Sequence, residues 1–319
     1  MVNELPFESI KREIIIKKDS YGVIGNDPTE RSTEETIDYG IVNVDKPRGP
    51  TSHQVSDYVK RILGLKKAGH SGTLDPNVTG VLPVALGRAT RIVQTLLPAG
   101  KEYITLMHLH KDVDKKRIQQ VMEEFIGKIR QTPPLKSAVK RVERTRQIYY
   151  IEIFEISERD VLFRVGCQAG TYIRKLCDDI GKRLKMGAHM QELRRTKAAG
   201  FDETTSYSLQ DLTDAHWYYK NEGNDKFLRK IIQPVENGVS HLPKIWALDN
   251  AIGSMLHGID LKIPGVAKVN SGINKDNVVA VMSLKNELIA IGNAKLQTKE
   301  ILKKEKGVAI SIHKVFMKS

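Results

Sequence analysis

The 319-residue chain is 40% hydrophobic and 28% charged, and it carries a formal net charge of +13. Its length allows two domains with real cores, and the positive excess points to a polyanionic partner, nucleic acid being the usual one. No run of about 18 apolar residues, no lipidation signal and no secretory leader is apparent, so the expectation is a cytoplasmic protein without a membrane partner.

Residues 1–38 are mixed. KREIIIKK alternates like an edge strand, and NDPTERSTEET reads as a loop that is flexible or ordered only on contact. From Gly40, GIVNVDKP predicts a buried strand stopped by Pro47. Thr51 and Ser52 then offer N-caps to a helix over SHQVSDYVKRILGL. Val55, Tyr58, Val59, Ile62 and Leu63 fall there at helical spacing, and Gly64 ends it. GHSGTLDPNVTGVLPVALGRATR follows at 69–91. Gly72, Thr73 and Leu74 lead to Asp75, Pro76 fixes φ beside the acid, and 81–86 predicts a buried strand interrupted by Pro83. From residue chemistry alone Asp75 reads either as a turn-closing acid or as a carboxylate presented by a loop resting on a rigid strand.

A strand is predicted over 103–109 and a helix near 115–126 that Gly127 terminates. Residues 128–147 hold seven Lys and Arg against one acid, Glu143, with Pro133 and Pro134 inside the stretch. IYYIEIFEI and VLFRVGC alternate as antiparallel strands joined at 157–160, residues 171–184 are predicted helical, and 200–205 is predicted to be a loop. Two prolines among polar residues at 234–243 mark a boundary, giving an extension (1–39), a first domain (40–241) and a second (242–319). In the last, GVAKVNSG, NVVAVMSL and ELIAIGNAKL predict short strands of a small barrel-like domain, the final pair joined by a turn at Lys285-Asn286. It carries twelve basic and six acidic residues, which gives it a positive surface of its own.

Cys167 and Cys177 form no CxxC pair and read as structural thiols of a reducing compartment. His53, His70, His108, His110 and His189 show no HxxxH or HExxH pattern, and His108 and His110 alternate with Met107 and Leu109 as on one face of a strand. No metal and no organic cofactor is expected.

The segment 69–91 resembles the signature of the TruB/dyskerin family of RNA pseudouridine synthases. KPRGPTSHQV (46–55), LLPAGKEYITLMHLH (96–110), TPPLKSAVKRVERTRQIYYIEI (132–153), AGTYIRKLCDDIG (169–181) and AHMQELRRT (188–196) resemble its other blocks, in its order. The stretch from Leu242 resembles the PUA domain of the archaeal, guide-RNA-dependent members, with HGIDLKIPGVAKV (257–269) as its RNA-facing loop and strand. The resemblance implies a mixed α/β fold: a pseudouridine synthase domain, an antiparallel or mixed sheet with flanking helices, over 40–241, then a PUA β-barrel over 242–319. The extension 1–39 would pack on the PUA domain.

The activity implied is isomerisation of uridine in rRNA to pseudouridine, as catalytic subunit of a particle guided by H/ACA RNA. Its implied partners are a small scaffold protein, a glycine/arginine-rich-type β-barrel protein and a kink-turn-binding protein. Two other readings stand beside this one: a stand-alone tRNA synthase acting on the T-loop, and a non-catalytic RNA-binding scaffold. The reaction breaks the C1′–N1 bond and rejoins the base through C5, so nothing enters from outside and no cofactor is called for. By the same resemblance Asp75 is the nucleophile, Arg174 its charge partner, and Tyr103 the residue that stacks on uracil and helps remove the C5 proton. Leu193 is the apolar wall against the base. His53 approaches the RNA, although a satisfied helix histidine is the other reading. Lys140, Arg141 and Arg144 belong to a basic thumb loop over the substrate, and Lys262 and Lys268 contact phosphates of the guide. Lys46 and Lys101 either support the site or touch RNA, and the sequence leaves both open.

Overall fold

The computed structural model describes residues 3–133 and 142–318, so Lys140 and Arg141 lie outside the described residues. In chain order the elements are β1 (Ile14–Ile16), α1 (Thr33–Asp38), β2 (Gly40–Lys46), α2 (Ser52–Ile62), β3 (Ala68–His70), β4 (Thr79–Leu86), α3 (Val93–Leu96) and β5 (Lys101–Leu109). Then come α4 (Lys115–Glu123), β6 (Gly127–Gln131), β7 (Arg144–Ser157), β8 (Asp160–Cys167), α5 (Ile173–Leu184), β9 (Ala188–Ala198), β10 (Phe201–Asp202), α6 (Leu209–Glu222), α7 (Lys226–Ile231) and β11 (Ile232–Pro234). The C-terminal domain holds β12 (Lys244–Ala247), α8 (Asp249–Leu256), β13 (Leu261–Lys262), β14 (Val266–Asn270), β15 (Val278–Met282), β16 (Leu288–Ala294), α9 (Thr298–Lys303) and β17 (Val308–Val315).

Among the described residues the first domain is built on one sheet, in the order β11-β2-β4-β9-β5-β8-β7-β6, with β3 on β4 and β10 on β9. Its pairings are antiparallel except β4 with β9, which run parallel at Thr79 and Gly80. One face of the sheet packs α2, α6 and α7 through Val55, Val59, Leu212 and Leu228, and another cluster joins β5 and β8 to α4 and α5 through Met107, Phe163, Val121 and Leu176. α2 starts where Thr51 accepts from the Gln54 N–H while the Gln54 side chain returns to the Thr51 N–H.

Two expectations need correcting. β4 runs uninterrupted through Pro83, which stands in register with Asn43 of β2. The Pro83 C=O accepts the Ser71 N–H (2.9 Å). Carbonyl and missing N–H of one strand residue face the same side, and here that side meets the end of β3 and not β2, so the proline forgoes only the return bond to Ser71 at the end of a short ladder. The stretch NDPTERSTEET is ordered: Asp27 caps a short turn over Pro28–Glu30, and Ser32 with Glu35 forms a capping box that starts α1.

The second sheet runs β1-β14-β12-β15-β16-β17-β13, so the N-terminal strand is an edge of the C-terminal domain. Lys17, just past β1, donates to the C=O groups of Ile301, Leu302 and Lys304 (2.8–3.1 Å), where α9 ends and its dipole favours a cation. The two domains share a core: Tyr39, Ile41, Ile92 and Phe201 of the first pack with Trp246, Met282, Leu288 and Phe316 of the second. A buried clamp crosses the same junction. Arg31 donates to both Glu236 oxygens (2.8 and 2.7 Å) and lies 3.4 Å from Glu287 in the β15–β16 turn, while the Leu288 N–H donates to Glu236. Arg31→Ala strands two buried carboxylates and should cost about 3–5 kcal/mol. Urea unfolding should then show the second domain separating from the first before either melts.

Candidate active site

The segment between β3 and β4 is tied at many of its backbone groups and carries Asp75 at its outer turn. Ser71 N–H is held by Pro83, Gly72 N–H by His70 Nδ1 (3.3 Å), and Leu74 by Ser52, whose hydroxyl accepts its N–H (2.8 Å) and donates to its C=O (3.2 Å). Val78 N–H closes the turn onto the Asp75 C=O (3.0 Å). Leu74 and Val78 are buried on either side, so the carboxylate between them faces outward. Gly80 has φ +101, and a Cβ there would fall 2.1 Å from the Arg195 C=O, so only glycine lets β4 start against β9.

Three buried cations lie beneath this loop, and two of them, Lys46 and Arg195, hold its carbonyls. Lys46 Nζ donates to the C=O groups of Pro47, Pro76 and Val78 (2.9, 3.1 and 2.8 Å). Lys101 Nζ donates to the C=O groups of Leu97 and Ala99 (3.0 and 2.8 Å), just past the end of α3. Arg195 Nε donates to the Val81 C=O (2.7 Å), and its Nη2 reaches the Gly72 C=O (3.3 Å). Burial lowers the pKa of Lys46 and Arg195 and brings Lys101 down to about 8. Lys46 thus supports the Asp75 loop, while Lys101 supports the turn after α3, and both ammonium groups are buried.

Arg174 stands in the first turn of α5 and donates from Nη2 to Asp75 Oδ2. Both side chains are about half exposed, 54% and 55%, so the pair opens to solvent. Asp75 Oδ1 has no partner among the described residues. The start of α5 lacks a side-chain cap of its own. Gln131, at the end of β6 and 3% exposed, supplies one: its amide accepts the Tyr172 N–H (3.0 Å) and donates to the Tyr172 C=O (3.1 Å). The hairpin of β6 and β7 is thereby tied to the turn that carries Arg174.

Tyr103 lies on β5 beside this pair, opposite Arg195 of β9, and burial pushes its pKa up. Leu193, opposite Thr105, packs into the cluster that contains Tyr103, Leu74 and Val78. His53 is exposed in the first turn of α2, its ring edge-on to that of His70 at 4.7 Å. Burial and the neighbouring His53 and Arg195 drive His70 down to about 4. Arg144 is exposed at the start of β7, paired with Gln131 in the hairpin. Lys262 and Lys268 belong to the second sheet, Lys262 exposed and Lys268 half-buried in β14, and neither joins the Asp75 site. Sequence reasoning missed Arg195 and Gln131. A lone buried amide has no local signature, whereas two adjacent arginines in a strand must face opposite sides of the sheet. Cys167 and Cys177 are buried, with thiols pushed up to about 12, as structural thiols should be. Among the described residues no cluster of His, Cys, Asp and Glu is arranged to hold a metal, and no helix is long and apolar enough to cross a membrane.

Comparison with known proteins gives the family. Residues 60–173 match the TruB family pseudouridylate synthase N-terminal domain, 174–240 the tRNA pseudouridylate synthase B C-terminal domain, 243–316 the PUA domain, and 3–56 the DKCLD domain. The probable tRNA pseudouridine synthase B of Pyrococcus abyssi is 55% identical over 312 residues, covering 97% of this chain and 93% of that protein. The chain belongs to the TruB family of pseudouridine synthases. A relative in Nanoarchaeum equitans is 52% identical over 98% of this TruB-family chain and 90% of its own length. Among solved structures, a chain of a Cbf5-Nop10-Gar1 complex superimposes with a TM-score of 0.94 at 54% identity, covering 98% of this chain and 96% of that one. A chain of an H/ACA RNP bound to a substrate RNA containing 2′-deoxyuridine gives 0.92 at 50% identity, with 99% and 98% covered.

Gln131→Ala should leave the fold intact and loosen the start of α5. Turnover should fall about tenfold, with RNA affinity changed little, because Arg174 is misplaced and not lost. Single-turnover rates beside filter-binding constants check this. His70 and His241, both held down to about 4 by burial, bind fewer protons folded than unfolded. Stability should therefore be full above about 6.5 and decline as pH falls toward 4. His241→Gln should flatten that slope in a series of melting temperatures against pH.

Proposed function

We propose that this protein isomerises uridine to pseudouridine in ribosomal RNA, directed by an H/ACA guide RNA and assembled with protein partners of the Nop10 and Gar1 kinds. The observation that carries the reading is a match along nearly the whole chain to a subunit of an H/ACA particle that was itself bound to substrate RNA. An outward-facing carboxylate joined to an arginine suits the chemistry. Arg174 fixes Oδ2 of Asp75 and leaves Oδ1 to act on the target nucleotide, while the tied loop keeps that oxygen from drifting. A stacked uridine must be flipped out to reach it, and unstacking costs a few kcal/mol that backbone contacts offset.

In this reading the basic segment 128–147, with Lys140, Arg141 and Arg144, follows the RNA backbone, and Lys262 and Lys268 hold the guide. His53 stands at the rim, where an extruded nucleotide enters. Leu193 walls the base, Tyr103 stacks on it, and the Tyr103 oxygen takes the C5 proton once the new C–C bond has formed. A kink-turn-binding protein completes the particle on the guide, and a cytoplasmic setting fits the two free, buried thiols.

The relatives named tRNA pseudouridine synthase B favour a second activity on tRNA. One preparation assayed on both substrates, with and without guide and partner proteins, separates the two. Guided modification of an rRNA fragment is expected, and modification of tRNA alone would instead support the second activity. Asp75→Asn should abolish both reactions while leaving RNA affinity within a few fold, since shape is kept and the nucleophile removed. Pseudouridine formed by that variant would remove Asp75 from the mechanism.

A further inference from the structure

Of the three buried cations, Arg195 alone faces a residue assigned to the chemistry. The register of β5 and β9 sets Arg195 directly opposite Tyr103 and Leu193 opposite Thr105, so tyrosine, guanidinium and leucine share one face of the sheet. The ladder is bulged between Glu102 and Tyr103, which frees the strands to bring these side chains together. Arg195 is 1% exposed and has no carboxylate partner among the described residues. Its neighbour Arg194 faces the other way and is satisfied by acids, with both terminal nitrogens on Asp45 (3.0 Å each) and Nε on Glu203 (2.5 Å).

A guanidinium taken wholly out of water without a carboxylate is costly, and such a fixed charge serves where negative charge develops during a reaction. The Tyr103 phenol is the group beside it able to develop one. Burial opposes ionisation of that phenol, and the charge of Arg195, opposite it in the ladder, is the leading influence in the other direction. Arg195 also touches the Asp75 loop. Beyond its contact with the Gly72 C=O, a Cβ built on Gly72 would lie 3.8 Å from its Nη1.

We propose that Arg195 is a positioning residue of the isomerisation: a fixed guanidinium that orients the Tyr103 oxygen, holds it against the Asp75 loop through Gly72, and stabilises the phenolate that takes the C5 proton. This rests on the assignment of Tyr103 as the base. In that step the C5–H electron pair closes the C5–C6 double bond of uracil, the C6–N1 π pair withdraws onto N1, and the phenolate becomes a phenol. Passing the proton on to N1 restores the phenolate, so the isomerisation neither gains nor loses a proton.

The test uses the full chain with guide RNA, partner proteins and a substrate tritiated at C5 of the target uridine, followed in single turnover across pH. Arg195→Lys keeps a charge but not the planar fork. It should slow tritium release about tenfold near neutrality, leave RNA affinity within about twofold, and move the pH dependence upward by about one unit. Tyr103→3,5-difluorotyrosine, whose phenol ionises more readily, should restore the rate of Arg195→Lys. Arg195→Gln, which keeps an N–H for Val81 without the charge, takes its place if the lysine variant does not fold. A pH profile parallel to that of the unaltered protein, or no rescue by the fluorinated ring, overturns the proposal. Tyr103→Phe separates the two layers. Full tritium release from it removes Tyr103 as base and the Arg195 role with it. An inactive Tyr103→Phe beside an Arg195→Lys that behaves like the unaltered protein keeps Tyr103 and discards Arg195 alone.

Discussion

Everything at the site depends on backbone carbonyls of one short loop being held by cations that water cannot reach. Lys46 gathers Pro76 and Val78, and Arg195 gathers Gly72 and Val81, so the chain on both sides of Asp75 is anchored to strands of the central sheet. Burying an ammonium or guanidinium costs several kcal/mol, and carbonyl acceptors return only part of it. The fold bears that cost because the loop would otherwise have to be positioned by its own weak preferences. A carboxylate on such a loop is preorganised: the entropy of placing it is lost on folding and not in each turnover.

The second constraint is the junction between domains. A flexible linker would let the C-terminal domain wander relative to the Asp75 loop. Here the segment around Pro234–Pro243 runs through a common apolar core, and Arg31 reaches from the extension to acids on both sides of the boundary. The composition shift that marks the boundary in sequence is real, but it marks a change of sheet and not a hinge. Removing residues 242–319 would expose Tyr39, Ile41 and Ile92 to water, so single substitutions probe the second domain more cleanly than truncation.

Much of this was legible in the sequence, for identifiable reasons. Apolar alternation and end signals located β2, α2, β5, β7, β8 and α5 to within a few residues, because these elements bury one regular face. Asp75, Arg174, Tyr103 and Leu193 came from motif resemblance, and the fold brings them to one place although they lie on four separate elements. What was not legible came from tertiary context. Pro83 sits inside a strand only because of which edge faces which neighbour. The capping box of Ser32 and Glu35 was within reach of local reasoning, but a polar stretch rich in acids resembles a loop until its caps are counted. Arg194 and Arg195 look interchangeable in sequence, and only the register of β9 separates the surface pair from the buried one.

The pairing of β1 with β14 has a consequence for the order in which the molecule is made. Glu13, beside that strand, accepts from Ser271, 258 residues further along. As the polypeptide leaves the ribosome, Ile14, Ile15 and Ile16 therefore have no edge to join until the final domain has emerged. At about 5–20 residues per second, that wait lasts on the order of ten seconds or more. Throughout it a short isoleucine strand, with Ile14 and Ile16 exposed even in the finished protein, is open to pairing with a neighbouring nascent chain. The basic residues Lys11, Arg12, Lys17 and Lys18 that bracket it keep such chains apart by repulsion, which makes them guardians of synthesis as well as fittings of the native state.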